Sequence, residues 1–123
     1  MNIRKISPAI HGVADYGFAL LSLTVPTLLG ASKKTKKLYV LIALEVFLYG
    51  ALTKHKYAIK GLISPNLHNK IDLSNLIGLA LLSANKQIRR DKNIFVFNLA
   101  LVALGLANVL VTDWKDEPAV DNI

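Results

Sequence analysis

Ser7-Pro8-Ala9-Ile10-His11-Gly12-Val13-Ala14-Asp15 and Ser64-Pro65-Asn66-Leu67-His68-Asn69-Lys70-Ile71-Asp72 share the pattern Ser-Pro-x-x-His-x-x-x-Asp, and each opens a long apolar run. The copies are offset by 57 residues, and Leu52-Thr53 is echoed by Val111-Thr112 at an offset of 59. A repeat names the structural unit. Here the unit is a pair of apolar segments that begins with a histidine and an aspartate one helical turn apart. Serine at an N-cap accepts from an orphan backbone N–H, and proline at the first helical position has no N–H to leave unpaired. Both Ser-Pro pairs therefore read as helix starts.

Working outward, four helices account for the apolar runs: about Pro8 to Gly30, Leu38 to Thr53, Pro65 to Asn85 and Asn93 to Thr112. Pro26 should kink the first or mark its last turn. The second is short for a span and borrows a turn from Lys36-Lys37. The expected fold is all-α, a four-transmembrane-helix bundle made of two repeated hairpins. Repeat 1 covers about 7–53 and repeat 2 about 64–112, with an acidic tail over 113–123.

Composition agrees with that architecture. The 123 residues form one domain; they are 53% hydrophobic, with a mean hydropathy of +0.41. No charge falls between Tyr16 and Ser32 or between Ile94 and Thr112, while lysines and arginines crowd the connections. Apolar runs separated by basic loops are the pattern of a multi-pass protein of the cell inner (plasma) membrane. The net charge of +7 punctuates the spans instead of covering one face. It suits anionic lipid headgroups, and no nucleic-acid partner is expected. The absence of cysteine excludes disulfides and thiolate chemistry. The first helix carries His11 and Asp15 and lacks the usual cleavage site, so it reads as retained and not as a signal peptide.

The basic connections also set an orientation. The loops after helices 1 and 3 hold eight Lys/Arg, against six on the side of the termini. The positive-inside rule then places both termini outside. Trp114 and Tyr57 fall on that outer face as aromatic-belt residues, and His55, in a basic loop, is expected to be solvated.

Polar residues occupy one face of each helix: His11, Asp15 and Ser22; Glu45 and Tyr49; His68, Asp72 and Asn75; Asn98, Gly105, Asn108 and Thr112. Lipid cannot satisfy such groups, so the stripes should turn inward, with Gly78 and Gly105 allowing close approach. The expected intrabundle cluster is His11, Asp15, His68, Asp72, Asn75 and Glu45. Its pairs read as hydrogen-bonded glue, as a proton or ion site, or as a metal or haem site on His11 and His68. The i, i+4 spacing is weakly specific and no other cofactor signature appears, so no metal and no cofactor are assigned. No nucleophile–base arrangement can be argued, so no catalytic residue is named and the protein is read as a non-enzyme. The functional expectation is a polar site for a proton, ion or small polar ligand. The alternative is a structural or accessory subunit packing on partner membrane helices, or a homo-oligomer.

The chain resembles the SPW-repeat family of small bacterial and archaeal membrane proteins. The carriers are His11 with Asp15-Tyr16, Pro26-Thr27-Leu28-Leu29-Gly30, Leu52-Thr53, His68 with Asp72, Gly78, and Val111-Thr112-Asp113. The Ser-Pro-Trp signature after helix 3 is replaced by Ser83-Ala84-Asn85, and Pro26 precedes threonine instead of tryptophan. The resemblance implies a four-helix bundle of two hairpins and carries no activity.

Overall fold

The computed structural model describes residues 3–115, and these residues are all-helical apart from turns and two isolated backbone bridges. The helices are α1 Pro8–Leu28, α2 Lys33–Ala51, α3 Pro65–Leu82, α4 Lys86–Arg90 and α5 Lys92–Val111. Of the acidic tail, Asp113 is described, while Asp116, Glu117 and Asp121 lie outside the described residues.

Both Ser-Pro pairs cap their helices. Ser7 accepts from the Ile10 N–H and Ser64 from the Leu67 N–H, at 3.3 and 3.2 Å. Pro26 sits in the last turn of α1. Past it, Gly30 takes φ +70°, the Gly30 N–H returns to the Thr27 carbonyl, and the Ala31 N–H to the Pro26 carbonyl. This is a Schellman stop, and glycine supplies its left-handed residue without a Cβ clash.

Two boundaries differ from the sequence reading. α2 starts at Lys33, because Ser32 caps it by accepting from the Thr35 N–H. The basic stretch after α3 is not a bare loop: Asn85 caps the short helix α4, and Ile88, fully buried, pins it to the core.

α1 packs on α2 and α3 on α5, giving two hairpins, and α5 also packs on α1. Apolar residues fill the middle and far end, with Tyr39, Leu79, Ile88, Ile94 and Leu101 in one cluster and Ala19, Ala43, Val46 and Tyr49 in another. Gly105 permits a close crossing, since a Cβ there would lie 2.6 Å from Leu76 Cδ2. Gly78 has open space around it and is exposed, so it serves no such contact.

The hairpins lock at one end through paired backbone bridges. Ile6 pairs with Thr112, and Ile63 pairs with Thr53. Each residue before a Ser-Pro cap thus holds the end of the other repeat's last helix or its own predecessor's, which closes a ring through both repeats. Buried polar groups and exposed apolar ones stand side by side in the bundle. His11, Asp15, Ser22, His68, Asp72 and Asn98 are buried, while Leu20, Leu23, Leu41, Leu48, Ile77, Leu81 and Leu104 are exposed. Among the described residues one helix, Lys92–Val111, is long and apolar enough to cross a membrane.

Candidate functional site

The bridged end of the bundle brings four side chains together: His11 and Asp15 from the first turns of α1, His68 and Asp72 from those of α3. Spacing by four puts each pair on one face, and the facing of α1 with α3 does the rest. His11 Nε2 lies 2.8 Å from Asp72 Oδ2 and 3.2 Å from Asp15 Oδ2. His68 Nε2 lies 2.8 Å from Asp15 Oδ2 and 3.2 Å from Asp72 Oδ2. The shorter contact always crosses to the other repeat. The result is a closed ring of alternating nitrogen and oxygen, with each residue at most 7% exposed.

A second layer repeats the same reciprocity. His68 Nδ1 lies 2.6 Å from Thr53 Oγ1, and His11 Nδ1 lies 2.7 Å from Thr112 Oγ1. Each threonine hydroxyl donates to the carbonyl four residues back, of Tyr49 and Asn108 respectively. A hydroxyl has one proton, so each threonine can only accept from its histidine, and each Nδ1 carries hydrogen. The Asn108 carbonyl, 3.2 Å from His11 Nδ1, agrees. The outer carboxylate oxygens are likewise tied: Tyr49 Oη donates to Asp72 Oδ1, and Asn108 Nδ2 donates to Asp15 Oδ1 at 3.2 Å.

With both Nδ1 atoms protonated, the two Nε2 atoms face carboxylate oxygens from inside the ring. Lone pairs opposed at 2.8 Å would repel, so each short Nε2···Oδ2 contact requires a proton between its atoms, or the four atoms a shared cation. This follows from the hydrogen-bond topology alone.

Other residues depart from their sequence-based placement. Trp114, read as an interfacial belt residue, is buried. Its ring centroid lies 4.5 Å from that of His11 and 5.8 Å from that of His68, and its Nε1 donates to the Val109 carbonyl. It roofs the quartet because the Asp113 N–H, bonded to the Ile6 carbonyl, holds the chain there. Tyr57 remains exposed.

His55 is not solvated; it is 2% exposed. Its Nε2 donates to the Gly50 carbonyl at 2.8 Å, and its Nδ1 accepts from the Tyr57 N–H at 3.1 Å. A backbone donor at Nδ1 selects the neutral ring, and burial pushes the His55 pKa below its ordinary value. The space it fills exists because residue 12 is glycine: a Cβ there would meet His55 Cε1 at 2.6 Å.

Glu45 does not join the quartet. The inward face of α2 is set by Tyr39, Ala43, Val46 and Tyr49, and Glu45 falls one residue off it and is exposed. It borders a cavity of about 290 Å³ that is also lined by Asp15, Asp72, Tyr49 and Asn75. Asn75 Nδ2 is buried there with no hydrogen-bond partner, and Ser22 Oγ is likewise buried without one. Asn98, farther along, accepts from the Tyr39 hydroxyl at 2.7 Å and donates to the Leu79 carbonyl and Ser83 Oγ.

No family model, curated protein or solved structure matches this chain. What defines the class is therefore the fold and the site: an all-helical protein with a buried His/Asp quartet.

Proposed function

We propose that this is a multi-pass integral membrane protein whose bundle encloses a cation-binding centre formed by His11, Asp15, His68 and Asp72. One observation carries the membrane part: apolar side chains point outward along α1, α2, α3 and α5, while His11, Asp15, His68 and Asp72 are buried between the helices. Water-soluble monomers do not expose apolar surface on that scale, and intramembrane ionisable residues face the bundle interior. α5 has the strongest span on its own. α1 and α3 reach span length by including their His/Asp pairs, whose polarity is met inside the bundle. The SPW-repeat resemblance supports the same four-span arrangement.

The ring's need for protons or a shared cation supports a proton or ion as occupant, reached through the cavity beside Asp15, Asp72 and Glu45. No hydroxyl–base pair of nucleophilic type is present among the quartet and its threonines, since both hydroxyls donate to backbone carbonyls. A binding protein, not an enzyme, is the reading that fits. The quartet and its threonines pair with one another within the chain, which favours a self-contained site over the accessory-subunit alternative. Bilayer lipid, with anionic headgroups at the basic connections, is the expected surrounding, and self-association through the apolar outer faces remains compatible with it.

Fractionation tests the reading. The protein should stay with membranes through carbonate and high-salt washes and require detergent for extraction. Release as a monodisperse species in aqueous buffer overturns it. C-terminal reporter fusions test orientation: activity of a periplasm-only reporter is expected, and activity of a cytoplasm-only reporter reverses the assignment.

A further inference from the structure

We propose that the quartet is a four-coordinate site for one divalent transition metal ion, with His11 Nε2, His68 Nε2, Asp15 Oδ2 and Asp72 Oδ2 as ligands and Zn²⁺ as the best-suited occupant. The inference rests on the reading of the quartet as a cation site and names the cation. The sequence assigned no metal, because i, i+4 His/Asp spacing is weakly specific and no other cofactor signature accompanies it; it offered one His/Asp pair on each of two helices. The fold brings the two pairs together.

Geometry is the first support. All four ligand atoms lie within 4.8 Å of one another. A tetrahedral ion with bonds of about 2.0–2.1 Å places neighbouring ligands about 3.3 Å apart. The four Nε2···Oδ2 edges are 2.8, 3.2, 2.8 and 3.2 Å and would open by a few tenths of an ångström, while the separations across the ring, up to 4.8 Å, would draw in as the ion gathers its ligands. The imidazoles stand nearly perpendicular, at 83°, and each Nε2 lies within 3.2 Å of both Oδ2 atoms.

Ligand preparation is the second. A metal-binding histidine donates its other ring N–H to an oxygen, which fixes the tautomer and makes the ligating nitrogen more basic. Thr53 and Thr112 do this for both rings. A ligating carboxylate is itself hydrogen-bonded, and here Tyr49 and Asn108 occupy the outer oxygens, leaving Oδ2 of each aspartate as a monodentate ligand.

Charge is the third. Two carboxylates and one divalent ion sum to zero, as do two carboxylates and two imidazoliums. One metal ion therefore replaces two protons without leaving net charge in the interior. Neutral imidazole with carboxylate is a donor set suited to zinc, and to cobalt, iron or manganese at lower intrinsic affinity. Four protein ligands close the site, as in structural zinc centres. Since each repeat supplies one histidine and one aspartate, the ion would fasten the hairpins to each other. Trp114 covers the centre on one side, and the cavity reaches Asp15 and Asp72 on the other, which provides an entry path.

The test uses the full chain, purified in detergent without chelator and without a histidine tag. Elemental analysis should find one transition metal ion per chain. After chelator treatment, added Co²⁺ should give the visible bands of four-coordinate cobalt and quench the fluorescence of Trp114, the sole tryptophan, with one common stoichiometry. Zn²⁺ should abolish both signals by competition and raise the melting temperature. Thr53→Val, which removes the acceptor behind His68 Nδ1, should weaken Zn²⁺ affinity about 10- to 100-fold while the fold is retained. His11→Ala and His68→Ala should lose the cobalt bands, and His55→Ala should keep them. The wild-type titration decides the matter even if the alanine variants do not fold. Folded protein that binds none of Zn²⁺, Co²⁺, Fe²⁺ or Mn²⁺ overturns the proposal. So does equal uptake by a folded variant lacking both histidines, which assigns the metal to the surface. In either case carbonate-resistant membrane retention would still stand, and two protons would occupy the ring.

Discussion

At the end where α1 and α3 begin, the contacts that build the quartet recur in both repeats; at the opposite end the equivalence disappears. The first end pairs His11 with Thr112 and His68 with Thr53, Ile6 with Thr112 and Ile63 with Thr53, and sets each histidine against the other repeat's aspartate. At the second end, α1 passes to α2 through the Gly30 turn, whereas α3 reaches α5 through the added helix α4. Polar contacts there differ as well: Tyr39 bonds Asn98, while Ser22 has no partner. The contrast teaches which part of the fold needs the repeat. A ring of two imidazoles and two carboxylates balances only if both halves contribute alike, but a turn needs only to close.

The strongest way to break this comparison is to remove one histidine. His68→Ala strands Asp15 and Asp72 in the interior and should cost about 3–5 kcal/mol, as breaking a buried ion pair does. Thermal or denaturant unfolding in detergent should show His11→Ala to be equal to it within about 1 kcal/mol, since each histidine makes the same pair of contacts, at 2.8 and 3.2 Å, to the two carboxylates. A marked inequality would mean that the symmetry is geometric and not energetic.

Gly12→Ala probes the packing just beside the ring. The new methyl collides with the His55 ring, and overpacking of this kind should cost about 1–3 kcal/mol. Adding His55→Ala should recover part of the loss. If the two losses simply add, His55 does not occupy that space.

At the unsymmetric end, Tyr39→Phe deletes one donor to Asn98 and should cost only about 1 kcal/mol. A loss as large as that of His68→Ala would show that both ends carry equal weight.

A smaller, pH-graded effect comes from His55. Burial lowers its pKa below the ordinary 6.5, with His68 and His11 acting in the same direction and Asp15 and the Gly50 carbonyl opposing. The unfolded chain therefore binds more protons than the folded one between the folded pKa and 6.5. The His55 contribution is complete above 6.5 and is lost as pH falls through that window. Melting temperature followed against pH should show this slope in the wild type, and His55→Phe should reduce it. Glu45→Gln, outside the ring, should change stability by less than about 0.5 kcal/mol.

The sequence by itself determined the repeat, the helix starts at Pro8 and Pro65, the stop after Pro26 and the placement of each His/Asp pair on one helical face. These rest on local causes: caps, the missing proline N–H and the period of the helix. It also displayed Leu52-Thr53 and Val111-Thr112 as matching ends without disclosing that both threonines stand behind histidines. Only the tertiary structure decided that each histidine prefers the other repeat's aspartate, that His55 and Trp114 are buried, and that Glu45 stays outside. Spacing places a side chain on a face, but its partner is chosen by how two faces meet. His11 Nε2 reaches its own Asp15 at 3.2 Å and Asp72 at 2.8 Å, a difference that exists only once the two hairpins bring the starts of α1 and α3 face to face.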